Sequence, residues 1–429
     1  MTTYQSPIAP GVSFYQATLS DRPIYPELPG NAEADVLIVG GGFTGLQAAY
    51  HLAKGGKSVI VIDGARFGDG ASGRNGGQLG TGQRSWPEEH EAEVGRERAT
   101  HLFQIAERAK AHLHTFAAEH GIDADYRPGQ ISAAHKKSYV SDYRKHAEIV
   151  RDRYDYPHIT FLDRDELASK LGSTHYHAGF IDTGTGHINP LKYVVGLAKA
   201  AADAGARCYE NTRATSIKSE AGKVTVTTPH GTITAGKALL ACNAYIDGLE
   251  PKMSAHVMPI RSFIGATVPL GHNSTVLSGG ESVDDSRFVV RYFRKSADGR
   301  LLFGGREAYT SDNPTDISEH IRRQITEIYP DLNDIEISHA WGGSVGITLP
   351  RQPYVEEVMP NVTAIGGYSG HGVMLSNFCG KLYADHVLGG SEDLEALRAL
   401  NVPSFPGGRT FRKPLLFLAL TWFAMRDRF

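Results

Sequence analysis

The run Val36-Leu37-Ile38-Val39-Gly40-Gly41-Gly42-Phe43-Thr44-Gly45 passes from four apolar residues straight into glycine. Four apolar residues together read as a buried strand. Gly40, Gly42 and Gly45 then form a G-x-G-x-x-G, and from Leu46 to Lys54 the pattern turns helical, with Leu46, Ala49, Tyr50 and Ala53 on one face. In such a turn the first glycine permits the tight bend and the second lets the backbone approach a pyrophosphate. The third lets the helix pack closely on the strand. Amides at the helix start, those of Phe43 and Thr44 among them, then face the phosphates, where the helix dipole favours negative charge.

By itself this motif is a weak signal in a chain with 48 glycines. Its context strengthens it. The helix is followed by Gly55-Gly56-Lys57 and a second apolar strand, Ser58 to Ile62, which ends at Asp63-Gly64. That aspartate falls about 20 residues beyond the first glycine, where a carboxylate meets an adenosine ribose. Strand, turn, helix, strand and acid in this order predict a nucleotide-binding α/β unit.

At 429 residues the chain exceeds what one core usually serves, which predicts two structural domains. A net charge of −3 gives no reason to expect a nucleic-acid partner. Cys208, Cys242 and Cys379 lie far apart with no C-x-x-C pair, which argues against disulfides or a zinc site and fits the reducing cytoplasm. The first thirty residues are polar and proline-rich, without a basic start and apolar run, so an extended arm is expected rather than a signal peptide. Pro414 to Met425 is apolar and precedes Arg426 and Arg428. Twelve residues are too few to span a bilayer, leaving a buried C-terminal helix or an anchor in peripheral contact with a membrane.

Beyond Asp63, residues 68–78 form a polar loop ending Gly70-Ala71-Ser72-Gly73-Arg74-Asn75-Gly76-Gly77-Gln78. A loop of this length in a compact domain usually has a job; its glycines allow close approach, and Ser72, Arg74 and Asn75 offer donors to phosphate or ring oxygens. Residues 88–120 and 139–153 read as charged, exposed helices, with His112, His114 and His120 solvated and no metal spacing among them. Pro190 to Ala204 is helical again. Short strands are expected at 214–217, 223–228 and 232–234, and a separate apolar strand at 238–241. A hairpin turning at Ala297-Asp298-Gly299 and a helix at 316–328 suggest an antiparallel middle region. Last comes a second glycine-rich strand-to-helix turn, Val362 to Ile365 entering Gly366-Gly367-Tyr368-Ser369-Gly370-His371-Gly372-Val373.

Gly40–Gly45 with Asp63, the 70–78 loop and the Gly367–Gly372 turn together resemble the FAD-dependent amine and D-amino-acid oxidase superfamily, which includes glycine and sarcosine oxidases. Within it the likeness runs to bacterial gamma-glutamylputrescine oxidoreductases, through Ser13-Phe14-Tyr15, Ala340-Trp341-Gly342-Gly343 and Arg426-Asp427-Arg428. The resemblance covers nearly the whole chain. It implies a discontinuous Rossmann-like FAD domain (31–95, 180–245 and 355–410) and an α+β substrate domain on an antiparallel sheet (96–179 and 246–354). The arm at 1–30 and the tail at 411–429 flank them.

By the same resemblance Gly40, Gly42, Phe43, Thr44 and Gly45 hold the FAD pyrophosphate, and Asp63-Gly64 the ribose, although the family often has glutamate at Asp63. Ala71, Ser72, Arg74, Asn75, Gly76, Gly77 and Gln78 run along the ribityl chain and flavin, Ala214 meets the adenine side, and Gly367, Gly370, His371, Gly372 and Val373 meet the isoalloxazine. Sarcosine oxidases tether their flavin through a cysteine; Ser344 to Pro350 contains none here, so non-covalent FAD is expected. The implied reaction passes a hydride from the carbon bearing a neutral amine to flavin N5. The resulting imine hydrolyses, and the electrons pass to O2 or to a quinone or other carrier. Trp341, Arg351, Tyr368 and His371 are the candidate pocket residues, with Arg261 and Arg291 as candidate partners of a substrate carboxylate. A flavin dehydrogenase of a hydroxy compound, or a flavoprotein subunit without turnover of its own, are the rival readings.

Overall fold

The computed structural model describes residues 4–271, 273–308 and 316–407, with backbone alone at 306–308. One sheet runs in the order Tyr354–Met359, Val362–Gly366, Gly231–Leu240, Ala32–Val39, Val59–Ile62, Arg207–Tyr209. Its last five strands are parallel, and Tyr354–Met359 pairs antiparallel at the edge. The apolar run at 36–39 is unbroken because both faces of the sheet are covered. Val36 and Ile38 point into one core with the helices Phe43–Lys54, Pro190–Asp203 and Gly372–Leu388, while Leu37 and Val39 point into another with Ile217, Val226 and Met253. Val39 lies opposite both Ile62 and Leu240, and Ala364 opposite Leu240. The carboxyl ends of four strands therefore share one edge, and the loops that leave them open a crevice there.

The second sheet runs Ile337–Ile347, Met258–Pro269, Arg300–Ala308, Tyr292–Lys295, Ser282–Asp285, Arg127–Ala134, Ala178–His187, Ile159–Leu162. Only Ser282–Asp285 and Arg127–Ala134 pair in parallel. Ile131, Phe293 and Phe303 on one face pack against Ile321, Ile325 and Ile328 of the helix Ile317–Ile328. Asp316 caps that helix, accepting from the amide of Glu319.

Several expectations are revised. The strands expected at 232–234 and 238–241 are one continuous strand, Gly231–Leu240, because its first half pairs with the hairpin strand Lys223–Thr228 and its length pairs with Ala32–Val39. Ala178–His187 lies in the second sheet, so a division of the chain at residue 180 falls inside a strand. The helix Arg96–Glu119 buries Leu102, Ile105, Ala109 and Leu113 in the core of the first sheet's helices rather than joining the second sheet. His112 on that helix is half-buried beside His51, their ring centroids 5.4 Å apart, and burial lowers both to about 4. The arm is not wholly extended: Phe14–Ala17 is a helical turn with Phe14 and Tyr15 buried. The apolar segment at 414–425 lies outside the described residues. Among them, no helix is long and apolar enough to cross a membrane.

Candidate active site

Two cavities meet at the crevice. The larger, about 970 Å³, is lined by Gly40, Gly42, Phe43, Thr44, Asp63, Gly64, Ala71, Ser72 and Ala214, and by Tyr368, Gly370, Gly372 and Val373. Its glycines meet distinct steric demands. Gly40 has a φ of +115°, and a Cβ there would sit 2.7 Å from the Ala241 carbonyl oxygen. A Cβ on Gly45 would come within 1.9 Å of the Gly40 carbonyl oxygen, so this glycine serves close packing and does not border the cavity. At Gly42, the residue before the helix Phe43–Lys54, a Cβ would meet the Ser72 hydroxyl at 2.7 Å. No side chain of its own turn caps that helix. Ser72 does so from the 70–78 loop, its Oγ accepting from the Phe43 amide at 2.9 Å. Asp63 accepts from the amides of Gly41 at 2.7 Å and Ala65 at 2.9 Å, while burial pushes its carboxyl up to about 6. The Tyr368 hydroxyl shares a 2.7 Å hydrogen bond with Thr44 Oγ1, pinning the second glycine turn to the first. Burial raises that phenol well above its ordinary range.

The polar side chains of the 70–78 loop turn inward on the protein. Arg74 is buried. Its Nε donates to the Gly342 carbonyl at 2.7 Å, and its Nη2 to those of Pro10 and Gly11 at 2.5 and 2.8 Å. It therefore ties the N-terminal arm to the strand Ile337–Ile347, with Nε and Nη2 turned to carbonyls rather than to phosphate or ring oxygens. Asn75 closes its own loop, its Nδ2 donating to the carbonyls of Ala71 and Ser72 and its Oδ1 accepting from the Gly77 amide. Gln78 Nε2 donates to the Val283 carbonyl of the second sheet at 2.8 Å. Trp341 is fully buried, donates from Nε1 to the Arg74 carbonyl at 3.0 Å, and borders neither cavity. Its indole supports the loop from behind, with Tyr15 packed edge-on at 5.3 Å. Gly367, with a φ of +72°, also borders neither cavity.

The smaller cavity, about 680 Å³, lies between the 70–78 loop and the second sheet. Arg74, Gly76, Gly77, Gln78, Arg351 and His371 border it and not the larger one. Its wall is common with the larger cavity at Ala71, Asn75, Ser344, Val345, Ser369, Gly370 and Val373, so the two voids adjoin along one seam. His371 is held by a 3.0 Å hydrogen bond from Nε2 to the Gly82 carbonyl. Because a carbonyl only accepts, this bond fixes the proton on Nε2 and leaves Nδ1 an acceptor. Burial lowers His371 to about 4, so the ring is neutral near pH 7. Arg351, at a φ of +63°, stacks its guanidinium 5.0 Å from the centre of the Phe288 ring. Arg261 borders the larger cavity instead, and Arg291 pairs with Glu327.

Sequence reasoning missed residues that carry no local signature. Arg213, Asn243 and Tyr245 line the larger cavity, and Arg84, Gln130, Ser132, Tyr143 and Asp284 the smaller one. Only Cys242-Asn243-Ala244 stood at a strand exit where a signal could be sought. Arg213 and Tyr245 follow strands of the first sheet, while Gln130, Ser132 and Asp284 come together through the order of the second. Among the described residues, no group of three His, Cys, Asp or Glu side chains could hold a metal ion.

A family model described as FAD dependent oxidoreductase matches residues 35–386. The sequence is 64% identical over 427 residues, 100% of each chain, to a Rhizobium meliloti (strain 1021) protein named probable oxidoreductase OrdL. It is 32% identical to the gamma-glutamylputrescine oxidoreductase of Escherichia coli (strain K12), over 97% of this chain and 98% of that one. Among solved structures, glycine oxidase from Geobacillus kaustophilus superposes with a TM-score of 0.71 at 23% identity, covering 84% of this chain and 96% of that one.

Proposed function

The chain belongs to the FAD dependent oxidoreductase family, and from that premise we propose that it oxidises the C–N bond of a small primary amine of the gamma-glutamylputrescine type. The observation that carries this reading is the seam. A cavity of about 970 Å³ that reaches from the Gly40–Gly42 turn to Gly370 and Val373 adjoins a second, of about 680 Å³, along Asn75, Ser344, Ser369, Gly370 and Val373. The residues present fit FAD, since at Gly42 even a methyl group would press on Ser72, leaving a bare backbone cradle at a helix start. In this reading the Gly40–Gly45 turn receives the pyrophosphate, Asp63 the ribose, Ala214 the adenine side, and Ala71, Asn75, Gly370 and Val373 the flavin end.

Bound FAD supplies a hydride acceptor for the carbon bearing the amine, and the imine product hydrolyses in water. The protein supplies orientation and a dry wall. His371 offers Nδ1 as an acceptor to an amine N–H, while Arg351 and Gln78 border the same space. A free alkylamine has a pKa near that of lysine, about 10.4, so the reactive neutral form is scarce at pH 7. Because His371 stays neutral down to about 4, it adds no limb to the pH profile between 5 and 8. Asp63, raised to about 6, ionises within that range at the ribose site, so the amine's contribution is the part of the rise that continues above it.

Anaerobic bleaching of the flavin by a panel of amines and 2-hydroxy acids tests the reading. Amines should bleach it, faster as pH rises, with gamma-glutamylputrescine among the best. Bleaching by hydroxy acids and by no amine would replace the proposal with a hydroxy-compound dehydrogenase.

A further inference from the structure

Two side chains in the smaller cavity have hydrogen-bonding capacity that the protein leaves unfilled. Arg84 is half-buried in its wall, and among the described residues its guanidinium makes no hydrogen bond and no ion pair. Its neighbours differ: Arg74 is held by three carbonyls, and Arg287 is paired with Asp285. Asp284 is the acidic counterpart. Its Oδ1 accepts from both Gln130 Nε2 and Ser132 Oγ, each at 2.9 Å, while its Oδ2 accepts from nothing among the described residues. Burial raises this carboxyl, and the charge of Arg84 is near enough to lower it in part. Yet the two form no ion pair.

The other acids of the cavity are placed differently. Asp285 is taken by Arg287 and the Tyr176 hydroxyl, whereas Glu89 and Asp142 are exposed to solvent. A guanidinium and a carboxylate oxygen, sheltered and unpaired in one cavity, each cost free energy unless a ligand completes them. A carboxylate and an ammonium on one carbon complete both.

We propose that Arg84 and Asp284 are the receptor for an α-amino-acid head carried by the substrate, Arg84 taking its carboxylate and Asp284 Oδ2 its ammonium. This rests on the reading of the smaller cavity as the substrate site. It also narrows the substrate. An ammonium beside an aspartate is held protonated, which opposes loss of hydride from its carbon. The amine on Asp284 is therefore not the one oxidised, and the substrate has a second, reacting amine elsewhere on its chain. Gln130 and Ser132, side by side on the strand Arg127–Ala134, are positioning residues that fix the carboxylate through Oδ1. The enzyme should thus discriminate against simple alkylamines, which leave both charges unpaired.

The test uses the FAD-loaded enzyme with three probes: gamma-glutamylputrescine, N-glutarylputrescine (no α-ammonium) and butylamine (no head at all). Arg84→Met should raise KM by about tenfold or more for the first two and far less for butylamine. Asp284→Asn should raise it for gamma-glutamylputrescine and far less for the other two. Equal changes across all three probes, or none, overturn the receptor. Arg84→Lys and Asp284→Glu keep the charges, and should restore part of the discrimination if the first variants lose flavin; failure to restore any also overturns it. If the unsubstituted enzyme turns over no amine, the proposed reaction fails, and equilibrium dialysis with L-glutamine tests the receptor alone. Binding that Arg84→Met abolishes supports it, and no binding overturns it.

Discussion

Gly42 shows how far a single residue governs the site. Valine there would drive side-chain carbons onto Ser72 Oγ, the group that caps the helix Phe43–Lys54, and into the space where a pyrophosphate approaches. Overpacking of this kind costs on the order of 3 kcal/mol, about a hundredfold in affinity. Gly42→Val should purify largely without FAD, with its far-UV circular dichroism unchanged; absorbance at the flavin bands per chain measures this. Normal flavin content would show that the turn is not the phosphate site. Acid precipitation of the unsubstituted protein should release its flavin to the supernatant, as expected of a non-covalent cofactor. Such glycines were legible because backbone geometry leaves few other residues for their positions. Arg74 was not. Sequence identifies it as a donor, but its acceptors at Pro10, Gly11 and Gly342 are brought to it only by the tertiary fold.

At the scale of elements, the alternating burial of residues 36–39 into two cores explains why that strand was readable from its apolar run alone. The strand Gly231–Leu240 was harder, because Gly236 and Lys237 interrupt its apolar pattern while pairing continues through Lys237 opposite Val36. The arm, the 70–78 loop and the strand Ile337–Ile347 act as one assembly around the Arg74 guanidinium. Arg74→Met would take a hydrogen bond from each of three carbonyls, of which only that of Pro10 is shown to keep another donor, the Gly342 amide. The cost is on the order of 3 kcal/mol. Limited proteolysis should then cut the arm ahead of Phe14 several times faster than in the unsubstituted protein. An unchanged cleavage rate would show that Tyr15, through its 2.8 Å bond to the Asn75 carbonyl and its contact with Trp341, holds the arm unaided.

For the whole molecule, the cavity assigned to FAD draws its wall from both sheets. Gly40 and Asp63 follow strands of the first, and Ser344 and Val345 lie on a strand of the second. FAD should accordingly stabilise both. At free FAD a hundred times its Kd, the gain is about 2.7 kcal/mol, seen as a higher melting temperature for the loaded protein than for protein stripped of flavin. Hydrogen exchange should slow at the glycine turn and at Ser344-Val345 alike. Protection confined to the first sheet would show that the second takes no part. The substrate cavity was the least legible feature, because Gln130 and Asp284 meet only through the pairing of Ser282–Asp285 with Arg127–Ala134, and Arg84 reaches them from a separate loop.

The knot of contacts at Arg74 also sets an order of events during synthesis. The arm leaves the ribosome long before Trp341 and Gly342, the residues that anchor it directly or through Arg74. Until they emerge, Phe14 and Tyr15 lack the ring contacts of His339 and Trp341, and the 70–78 loop lacks its backing. The nascent chain must therefore carry two incompletely covered aromatic side chains until the strand Ile337–Ile347 is made, an exposure during which chaperones, or premature self-association, can reach them.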